Sequence, residues 1–372
     1  MNLIDSLNEA LSTVQDPELH RSITELGMVE DLNEVNGDVS IKILLTISGC
    51  PMQDRLRGDI TTALKNVEGV KTVELAFGVM SQEQRDHVKK VVRGGREKTI
   101  TFAQPESLTR VIGIASGKGG VGKSSVTANL AVAAAQKGLK VGILDADIYG
   151  HSIPRLMGIV GVRPTAIDQT FIPVETFGVK VVSMEMFKPE RSDAVAFRGP
   201  MLHKVLEQLL SDAYWGDLDL LLLDLPPGTG DIAISLGQLL PASEIIVVTT
   251  PQIAAAEVSE RAGRIAHQLK QHIIGVIENM SDSACNKCGE PIAIFGTGGG
   301  LETAKHLSSL VGADVALIGQ IPFAPALREG GDIGQPIVIS DPTCPASEAF
   351  AAIVEKITLR PKSLVGVRLS VS

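Results

Sequence analysis

A glycine-rich loop between an apolar strand and a helix is the feature that most constrains this chain. Residues 117–125 read GKGGVGKSS, follow the apolar run RVIGIAS and precede the helical segment SVTANLAVAAAQKG. The loop satisfies the pattern G-x-x-x-x-G-K-S/T, in which backbone N–H groups and a helix N-terminus surround phosphate oxygens. This context predicts a phosphate-binding α/β fold, and a glycine-rich turn without a ligand is the weaker alternative.

The residues of this loop divide the work of binding a nucleotide. Lys123 is expected to reach the β- and γ-phosphates, and the Ser124 hydroxyl is expected to hold Mg²⁺. The backbone groups of the loop would surround the phosphates. The predicted phosphate-binding residues are Gly117, Lys118, Gly119, Gly120, Val121, Gly122, Lys123, Ser124 and Ser125.

From about residue 108 onward, apolar segments alternate with helical ones. The seven apolar segments are RVIGIAS, KVGILDAD, VKVVSM, LDLLLLDLP, EIIVVTT, IIGVIENM and VALIGQIP. This alternation predicts an α/β fold with a doubly wound, mainly parallel sheet. Together with the glycine-rich loop, it predicts the P-loop NTPase class. Ligands in that architecture bind at the carboxyl ends of the strands, where the glycine-rich loop and the motifs below all lie.

The chain before this region has a different pattern. A helical opening is followed by two strand-like runs, DVSIKILLT and VKTVELAF, with the helical segment RLRGDITTALKNVEGV between them. This pattern predicts a small α+β domain. Charged residues and a Gly-Gly pair then indicate a linker. The expected organisation is a small domain at 1–80, a linker at 81–107, the P-loop domain at 108–360 and a C-terminal tail at 361–372.

Composition excludes several classes of partner and location. The net charge of −9 and the 3% aromatic content argue against nucleic-acid binding. No run approaches the roughly 20 apolar residues that span a bilayer, so no membrane partner is expected. The N-terminus lacks the pattern of a secretory signal. The four unevenly placed cysteines argue against a disulfide framework and favour a cytoplasmic protein.

Two acidic motifs end apolar strands, where a carboxylate lies beside bound phosphates rather than in the core. KVGILDADIYG contains Asp145 and Asp147, and LDLLLLDLPPGTGD contains Asp224. Asp224 is placed to hold Mg²⁺, and Asp145 is a supporting candidate on the same side. Gly228, after two prolines, resembles a switch that senses a γ-phosphate. Each aspartate alone could be a cap or turn residue, but three at strand ends favour a hydrolytic set.

The loop also carries a second lysine, Lys118, and KGGVGKS resembles the signature of the deviant Walker A ATPases, which include nitrogenase iron protein, MinD and ParA. In that group the extra lysine reaches the nucleotide of a facing subunit, so the resemblance implies a homodimer. By chemistry alone, Lys118 would be a solvated loop lysine. The resemblance also implies that Asp147 orients the attacking water and that Asn279 contacts the adenine. Pro322 and Phe323 would pack beside the base, and an ordinary strand-end turn is the nearly equal alternative for these base-contact residues. The implied catalytic residues are Lys118, Lys123 and Asp147.

Two cysteines stand close together in SDSACNKCGEP, residues 281–291. Cys285 and Cys288 could form a redox dithiol, half of a zinc site or half of an iron-sulfur site, and both metal sites need four ligands. This loop begins at the end of the strand that carries Asn279. A dimer that faces across that edge would bring four thiolates together, the number that a 4Fe-4S cluster or a tetrahedral Zn²⁺ requires.

Four segments together resemble the Mrp-type, ApbC-like, iron-sulfur carrier ATPases over nearly the whole chain. They are SGKGGVGKSSVTANLA, DADIYGHSIP, DLPPGTGD and ENMS followed by CNKCG and IFGTGGG. Residues 1–80 resemble the small iron-sulfur-assembly domain that precedes such ATPases. There Cys50 matches a cysteine of that domain family, and a half-buried structural cysteine is the equal alternative. Ser125 and His151 depart from the family pattern without removing a phosphate or metal ligand.

The resemblance implies an ATP-hydrolysing carrier. A homodimer would bind ATP and Mg²⁺, hold a bridging 4Fe-4S cluster on Cys285 and Cys288, and transfer it to apo-proteins. The implied partners are apo iron-sulfur acceptor proteins and a cluster-assembly scaffold. Three alternatives stay open: a ParA- or MinD-like positioning ATPase, an ATPase dimer clasped by structural zinc, and a dithiol oxidoreductase, which the polar loop around the cysteines disfavours.

Overall fold

The computed structural model describes residues 3–46, 52–93, 99–148, 150, 152–167, 170–188, 199–228, 230–284, 288 and 290–359. Cys50, Cys285 and the tail at 361–372 lie outside these residues. The strands are β1 Val29–Val35, β2 Asp38–Leu45, β3 Thr72–Val79, β4 Arg110–Ser116, β5 Val141–Asp145, β6 Thr165–Ile167, β7 Thr170–Ile172, β8 Val174–Thr176, β9 Val179–Ser183, β10 Leu220–Asp224, β11 Glu244–Thr249, β12 His272–Ser281, β13 Ser283–Ala284, β14 Pro291–Ile292 and β15 Ala316–Pro322.

Helices alternate with these strands along the second part of the chain. The α-helices are α1 Leu3–Thr13, α2 Gln53–Lys65, α3 Gln82–Arg93, α4 Lys123–Gln136, α5 Ile153–Leu156, α6 Gly199–Ser211, α7 Asp231–Leu239, α8 Ile253–Gln268, α9 Gly299–Val311, α10 Pro325–Ile333, α11 Ile337–Ser340 and α12 Pro345–Leu359. Short 3-10 helices occupy Thr101–Ala103 and Met184–Phe187. Within the described residues, no helix is both long enough and apolar enough to cross a membrane.

The chain forms two compact units, Met1–Thr99 with Thr165–Ile172 and the remainder. The first unit has a three-stranded sheet in the order β1-β2-β3, with β1 antiparallel and β3 parallel to β2. Helix α2 buries Leu56, Ile60 and Leu64 at intervals of four residues, so its apolar stripe faces the core. The predicted small α+β domain is therefore confirmed.

Helix α3 lies within the stretch at 81–107 that was predicted as a linker, and this helix was not predicted. This helix presents many charged side chains, but Val88 within it is completely buried. A charged helix with a narrow apolar stripe has the composition of a linker, which is why the sequence reading missed it. The β6–β7 hairpin also belongs to the first unit, although it lies within the part of the sequence predicted to form the P-loop domain.

The second unit contains an eight-stranded sheet in the order β15-β12-β11-β4-β10-β5-β9-β8. Seven strands are parallel and correspond to the seven predicted apolar segments, which confirms the predicted mainly parallel sheet. The edge strand β8 pairs antiparallel with β9 and was not predicted. Strands such as β10 are buried at every position, so they read as unbroken apolar runs rather than alternating ones.

Strand register determines which motifs meet. Asp224 at the end of β10 lies opposite Asp145 at the end of β5, and on its other side β10 pairs with β4, which leads into the glycine-rich loop. Helix α4 follows that loop and is buried around most of its circumference, because α12 packs against it as well as the sheet. Its small alanine side chains permit this close packing.

Glu18 is a partly buried acid of the first unit. Its carboxylate accepts a hydrogen bond from the Thr165 hydroxyl at 2.9 Å. Burial raises the pKa of the Glu18 carboxyl above its ordinary value of 4.5, the Thr165 hydrogen bond opposes this shift, and the Asp16 carboxylate adds to it. The proton therefore binds more tightly in the folded state. This contribution to stability is present below the unfolded pKa and is lost as the pH rises through the folded one.

We expect Glu18→Gln to stabilise the first unit at about pH 7 and to leave it unchanged at about pH 4, because the amide removes the buried charge and can still accept the Thr165 hydrogen bond. The gain should stay below about 1 kcal/mol, since solvent screens a carboxyl that is partly exposed. Amide hydrogen exchange of α1 and β2 in the full chain measures it. Glu9→Gln, on the exposed face of α1, is the control, and an equal gain at both pH values would contradict the prediction.

Candidate functional site

The glycine-rich loop is shaped by two residues with left-handed backbone conformations. Gly120 has a φ of 81° and Gly122 a φ of 78°, values that side chains other than glycine rarely adopt. Gly122 is the N-cap of α4, so its conformation turns the loop into the first turn of the helix. A Cβ at this position would collide with the side-chain amide nitrogen of Asn279. The loop conformation therefore requires glycine for two independent reasons.

Asp224 contacts three polar side chains of the first turns of α4, and together they form a buried network. The Lys123 ammonium lies 2.7 Å from Asp224 Oδ1. The Ser124 hydroxyl donates to Asp224 Oδ2 at 2.6 Å, and the Thr127 hydroxyl donates to Oδ1 at 2.7 Å. Asp224 is fully buried and Lys123 nearly so. The structure thus brings together the three residues predicted from two separate motifs. Thr127, one helical turn after Lys123, was not predicted.

The two aspartates after β5 have different surroundings. Asp145 is fully buried and accepts hydrogen bonds from the Ser183 hydroxyl at 3.0 Å and from the backbone N–H of Asp147 at 3.2 Å. Burial, and then the charge of Asp224, raise the pKa of Asp145 well above its ordinary value. Asp147 is half-exposed, and its Oδ1 accepts from the Gly150 N–H at 2.9 Å. Asp145 therefore holds the backbone that follows β5, and Asp147 is the more solvent-accessible of the two carboxylates.

Asn279 links the end of β12 to the glycine-rich loop. Its side-chain N–H donates to the Val121 carbonyl at 2.9 Å, and the residue is buried. Its Oδ1 atom is buried without a hydrogen-bond partner among the described residues. An unpaired buried acceptor is costly, so this oxygen is suited to a ligand that brings an N–H donor. The predicted base contact therefore packs against the glycine-rich loop through its amide nitrogen.

The end of β15 lies beside Asn279. Pro322 pairs with Ser281 of β12, and the Phe323 N–H donates to the Ser281 carbonyl at 3.0 Å. The Phe323 ring packs edge-on against Phe295, with centroids 5.6 Å apart. Phe295 was not singled out in the sequence, although it follows the CxxC segment. The predicted Pro322–Phe323 turn thus contacts both the base-side strand end and the chain that returns from the cysteines.

Two further predicted residues make contacts within the chain. The Gly228 N–H donates to the carbonyl of Ser116, the last residue of β4, at 2.9 Å. This bond joins the loop after β10 to the start of the glycine-rich loop. The Lys118 ammonium donates to the Gln252 side-chain oxygen at 3.0 Å. Gln252, just after β11, was not predicted from the sequence.

The cysteine segment forms a small hairpin beyond β12. Strands β13 and β14 pair antiparallel, with Ala284 opposite Pro291, and Cys288 is exposed in the turn between them. Cys285 directly follows β13 and lies outside the described residues. Ile292 and Ile294, after the turn, are 42% and 56% exposed, so apolar surface adjoins the cysteine segment. Cys288, one of the two predicted metal ligands, thus lies in a turn rather than at a helix N-terminus.

Gly122→Ala should disrupt nucleotide binding far more than Gly138→Ala, the matched control at the other end of α4. Both glycines have positive φ, but a Cβ at Gly138 would have no atom within 4 Å. Left-handed strain alone costs about 1–2 kcal/mol, and the collision with Asn279 adds to it. We therefore expect the affinity for ATP to fall about tenfold or more, measured by titration calorimetry. Equal affinities in the two variants would show that the Asn279 contact does not shape the loop.

Known proteins match both units. The family of the NUBPL iron-transfer P-loop NTPase matches residues 107–358, and the family of the iron-sulfur cluster assembly protein matches residues 4–75. The iron-sulfur cluster carrier protein of Mycobacterium leprae is 52% identical over 370 residues, which cover 99% of this chain and 96% of that protein. The protein of the same name from Deinococcus radiodurans is 38% identical over 355 residues, covering 95% and 94%.

A solved structure agrees with these matches. The nucleotide-binding protein of Archaeoglobus fulgidus, in complex with ADP, is similar with a TM-score of 0.54 and 34% identity, over 67% of this chain and 97% of that one. The resemblance to iron-sulfur carrier ATPases and the predicted P-loop fold class are therefore confirmed. The chain belongs to the family of NUBPL iron-transfer P-loop NTPases and carries an iron-sulfur cluster assembly domain ahead of it.

Proposed function

We propose that this protein binds and hydrolyses ATP, holds a bridging 4Fe-4S cluster between two copies of itself and transfers that cluster to apo-proteins. The observation that carries the proposal is the position of the hairpin that bears Cys288. It begins two residues after the end of β12, the strand that carries Asn279 against the glycine-rich loop. The relatives named iron-sulfur cluster carrier proteins support the same cargo.

The residues around Asp224 fit a nucleotide with Mg²⁺. A hydroxyl and a carboxylate, Ser124 at the start of α4 and Asp224 at the end of β10, are oxygen ligands of the kind that Mg²⁺ prefers, and they are joined by a hydrogen bond. When bound, Mg²⁺ neutralises charge on the β- and γ-phosphates. The unpaired Asn279 oxygen fits an exocyclic amine such as that of adenine. The ADP complex of the Archaeoglobus fulgidus protein supports an adenine nucleotide.

Nucleotide binding would exchange the partners of Lys123. Its ammonium pairs with Asp224 in this structure, and a phosphate in the loop offers it a stronger, doubly charged partner. Lys123 would then bind the phosphates, while Asp224 and Ser124 face the cation. We assign to Asp147 the orientation of the attacking water and to Gly228 the sensing of the γ-phosphate. Lys118 would leave Gln252 to reach the nucleotide of the partner subunit.

The cluster requires a second copy of the chain. One CxxC supplies two thiolates, and a 4Fe-4S cluster has four cysteine ligands, so a two-fold homodimer completes the set. The exposed Ile292 and Ile294 provide apolar surface beside Cys288 for such a contact. Free thiolates require a reducing compartment, which favours the cytoplasm. The partners would be a cluster-assembly scaffold and apo iron-sulfur acceptors, with no role for nucleic acid or membranes.

The double variant Cys285→Ala/Cys288→Ala should lose the cluster. After anaerobic reconstitution with iron and sulfide, the wild type should hold about two irons per chain, half of a shared 4Fe-4S cluster, with a broad visible absorption band. The double variant should hold almost none. Cys344→Ala, a half-buried cysteine beside α12, is the control and should load normally.

Two results would contradict this assignment. Stoichiometric zinc that resists replacement by iron would identify the cysteines as a structural clasp. Iron loading and a visible spectrum that survive in the double variant would place the cluster elsewhere on the chain.

Lys123→Ala should reduce ATP hydrolysis by about a hundredfold or more, because it removes a preorganised positive charge from the phosphates. It should also abolish any difference in cluster-transfer rate with and without ATP. Lys137→Ala, at the exposed C-terminal end of the same helix, is the control and should leave both unchanged. Transfer to an apo-acceptor that still responds to ATP in Lys123→Ala would separate hydrolysis from the carrier function.

A further inference from the structure

A buried carboxylate, Glu278, lies one residue before Asn279 and takes no part in the site described above. Its side chain is 1% exposed. One carboxylate oxygen accepts from the backbone N–H of Gly300 at 2.6 Å, and the other accepts from the Gln320 side-chain amide at 2.7 Å. Glu278 therefore ties β12 to the first turn of α9 and to β15.

The Gly300 bond joins the two ends of the cysteine segment, residues 282–298 between β12 and α9. The chain leaves β12 at Ser281, passes through the β13–β14 hairpin and reaches the start of α9 at Gly299. Glu278 lies before the departure point, and its partner Gly300 lies after the return point. The Glu278 side chain thus links the two ends of the cysteine segment. Glu278 is also the sequence neighbour of Asn279, the residue assigned to the adenine.

Three glycines make this contact reachable. Gly298 is the N-cap of α9, and its φ of 87° turns the chain that returns from the hairpin into the first turn of the helix. A Cβ on Gly299 would collide with the Thr250 carbonyl, and a Cβ on Gly300 would lie 2.7 Å from the Glu278 Cβ. Glycine therefore lets the helix start approach the carboxylate within hydrogen-bond distance. This packing gives a physical reason for the GTGGG run, which the sequence alone marked only as a family feature.

A carboxylate is suited to this position for electrostatic reasons. The first N–H groups of a helix lack intrahelical partners and carry partial positive charge, and a buried anion needs such compensation. The bond is therefore charge-assisted and more rigid than a contact between neutral groups. Movement of the end of β12 would be passed to the start of α9 rather than absorbed between them.

We propose that Glu278 is a positioning residue that transmits the nucleotide state of the Asn279 edge to the cysteine segment. When a base engages Asn279, the adjacent Glu278 carries the shift to Gly300 and so to the returning chain at residues 290–298. The inference rests on the proposed function for the nucleotide, but it is tested without any cluster. Cluster loading and this transmission can therefore fail independently.

Glu244 provides a matched control within the same sheet. It is also 1% exposed, and it pairs with Arg110 and with His272 at the start of β12, the opposite end of that strand. Glu244→Gln thus removes an equally buried carboxylate from a comparable network. Glu244 lies on β11 opposite His272, at the end of β12 that is far from Asn279. An effect that follows simply from loss of a buried carboxylate would appear in both variants.

The experiment is amide hydrogen exchange of the full-length apo-protein with and without a slowly hydrolysed ATP analogue. In the wild type and in Glu244→Gln, the analogue should slow exchange at residues 290–298, within the 5- to 150-fold range typical of coupled sites. In Glu278→Gln, which keeps an acceptor for the Gly300 N–H but loses the charge that strengthens the bond, that ratio should fall well below the wild-type value, while calorimetry shows that the analogue still binds. Iron loading of the same variants reports separately on the cluster.

Gln320→Ala keeps the test decisive if Glu278→Gln does not fold. It removes one of the two bonds from the exposed side, so it should reduce the nucleotide effect on residues 290–298 without abolishing it. The inference is overturned if the analogue protects residues 290–298 equally in Glu278→Gln and the wild type. It is equally overturned if the bound analogue leaves these residues unchanged in the wild type.

Discussion

The buried ion pair between Lys123 and Asp224 is the interaction on which the arrangement of the site depends. Removing two charges from water is costly unless both are paired and hydrogen-bonded, and here Ser124 and Thr127 complete the coordination of the carboxylate. The pair joins the start of α4 to the end of β10. It therefore fixes the glycine-rich loop relative to the sheet. It also holds the Lys123 ammonium where a bound phosphate would replace Asp224 as its partner.

The end of β12 is where the other functions converge. Asn279 supports the glycine-rich loop through the Val121 carbonyl, Glu278 holds the start of α9, and the cysteine hairpin begins two residues after the strand ends. A rigid parallel sheet makes this strand end a good reference point, because its backbone is held by neighbours on both sides. Under the proposed function, the nucleotide and the cysteine hairpin would therefore meet at the end of the same strand.

Elements with strong local signals were predictable from the sequence. The seven parallel strands are buried on both faces and read as apolar runs, and the P-loop motif is contiguous. The failures have physical causes. The α3 helix was missed because its charges hide one buried face, and β8 because three residues carry little pattern. The β6–β7 hairpin belongs to the first unit through contacts made far from it in the chain.

Sequence by itself determined the parallel α/β class, the phosphate loop, the acidic strand ends and the cysteine pair, because each is encoded within a few neighbouring residues. Tertiary structure alone decided which side chains meet. Thr127 bonds to Asp224 from 97 positions away, and Asn279 reaches Val121 across 158. Even Glu278 and Gly300 are separated by the whole cysteine segment. Such pairs carry no local pattern, since they are set by strand register and by the close approach that glycine permits.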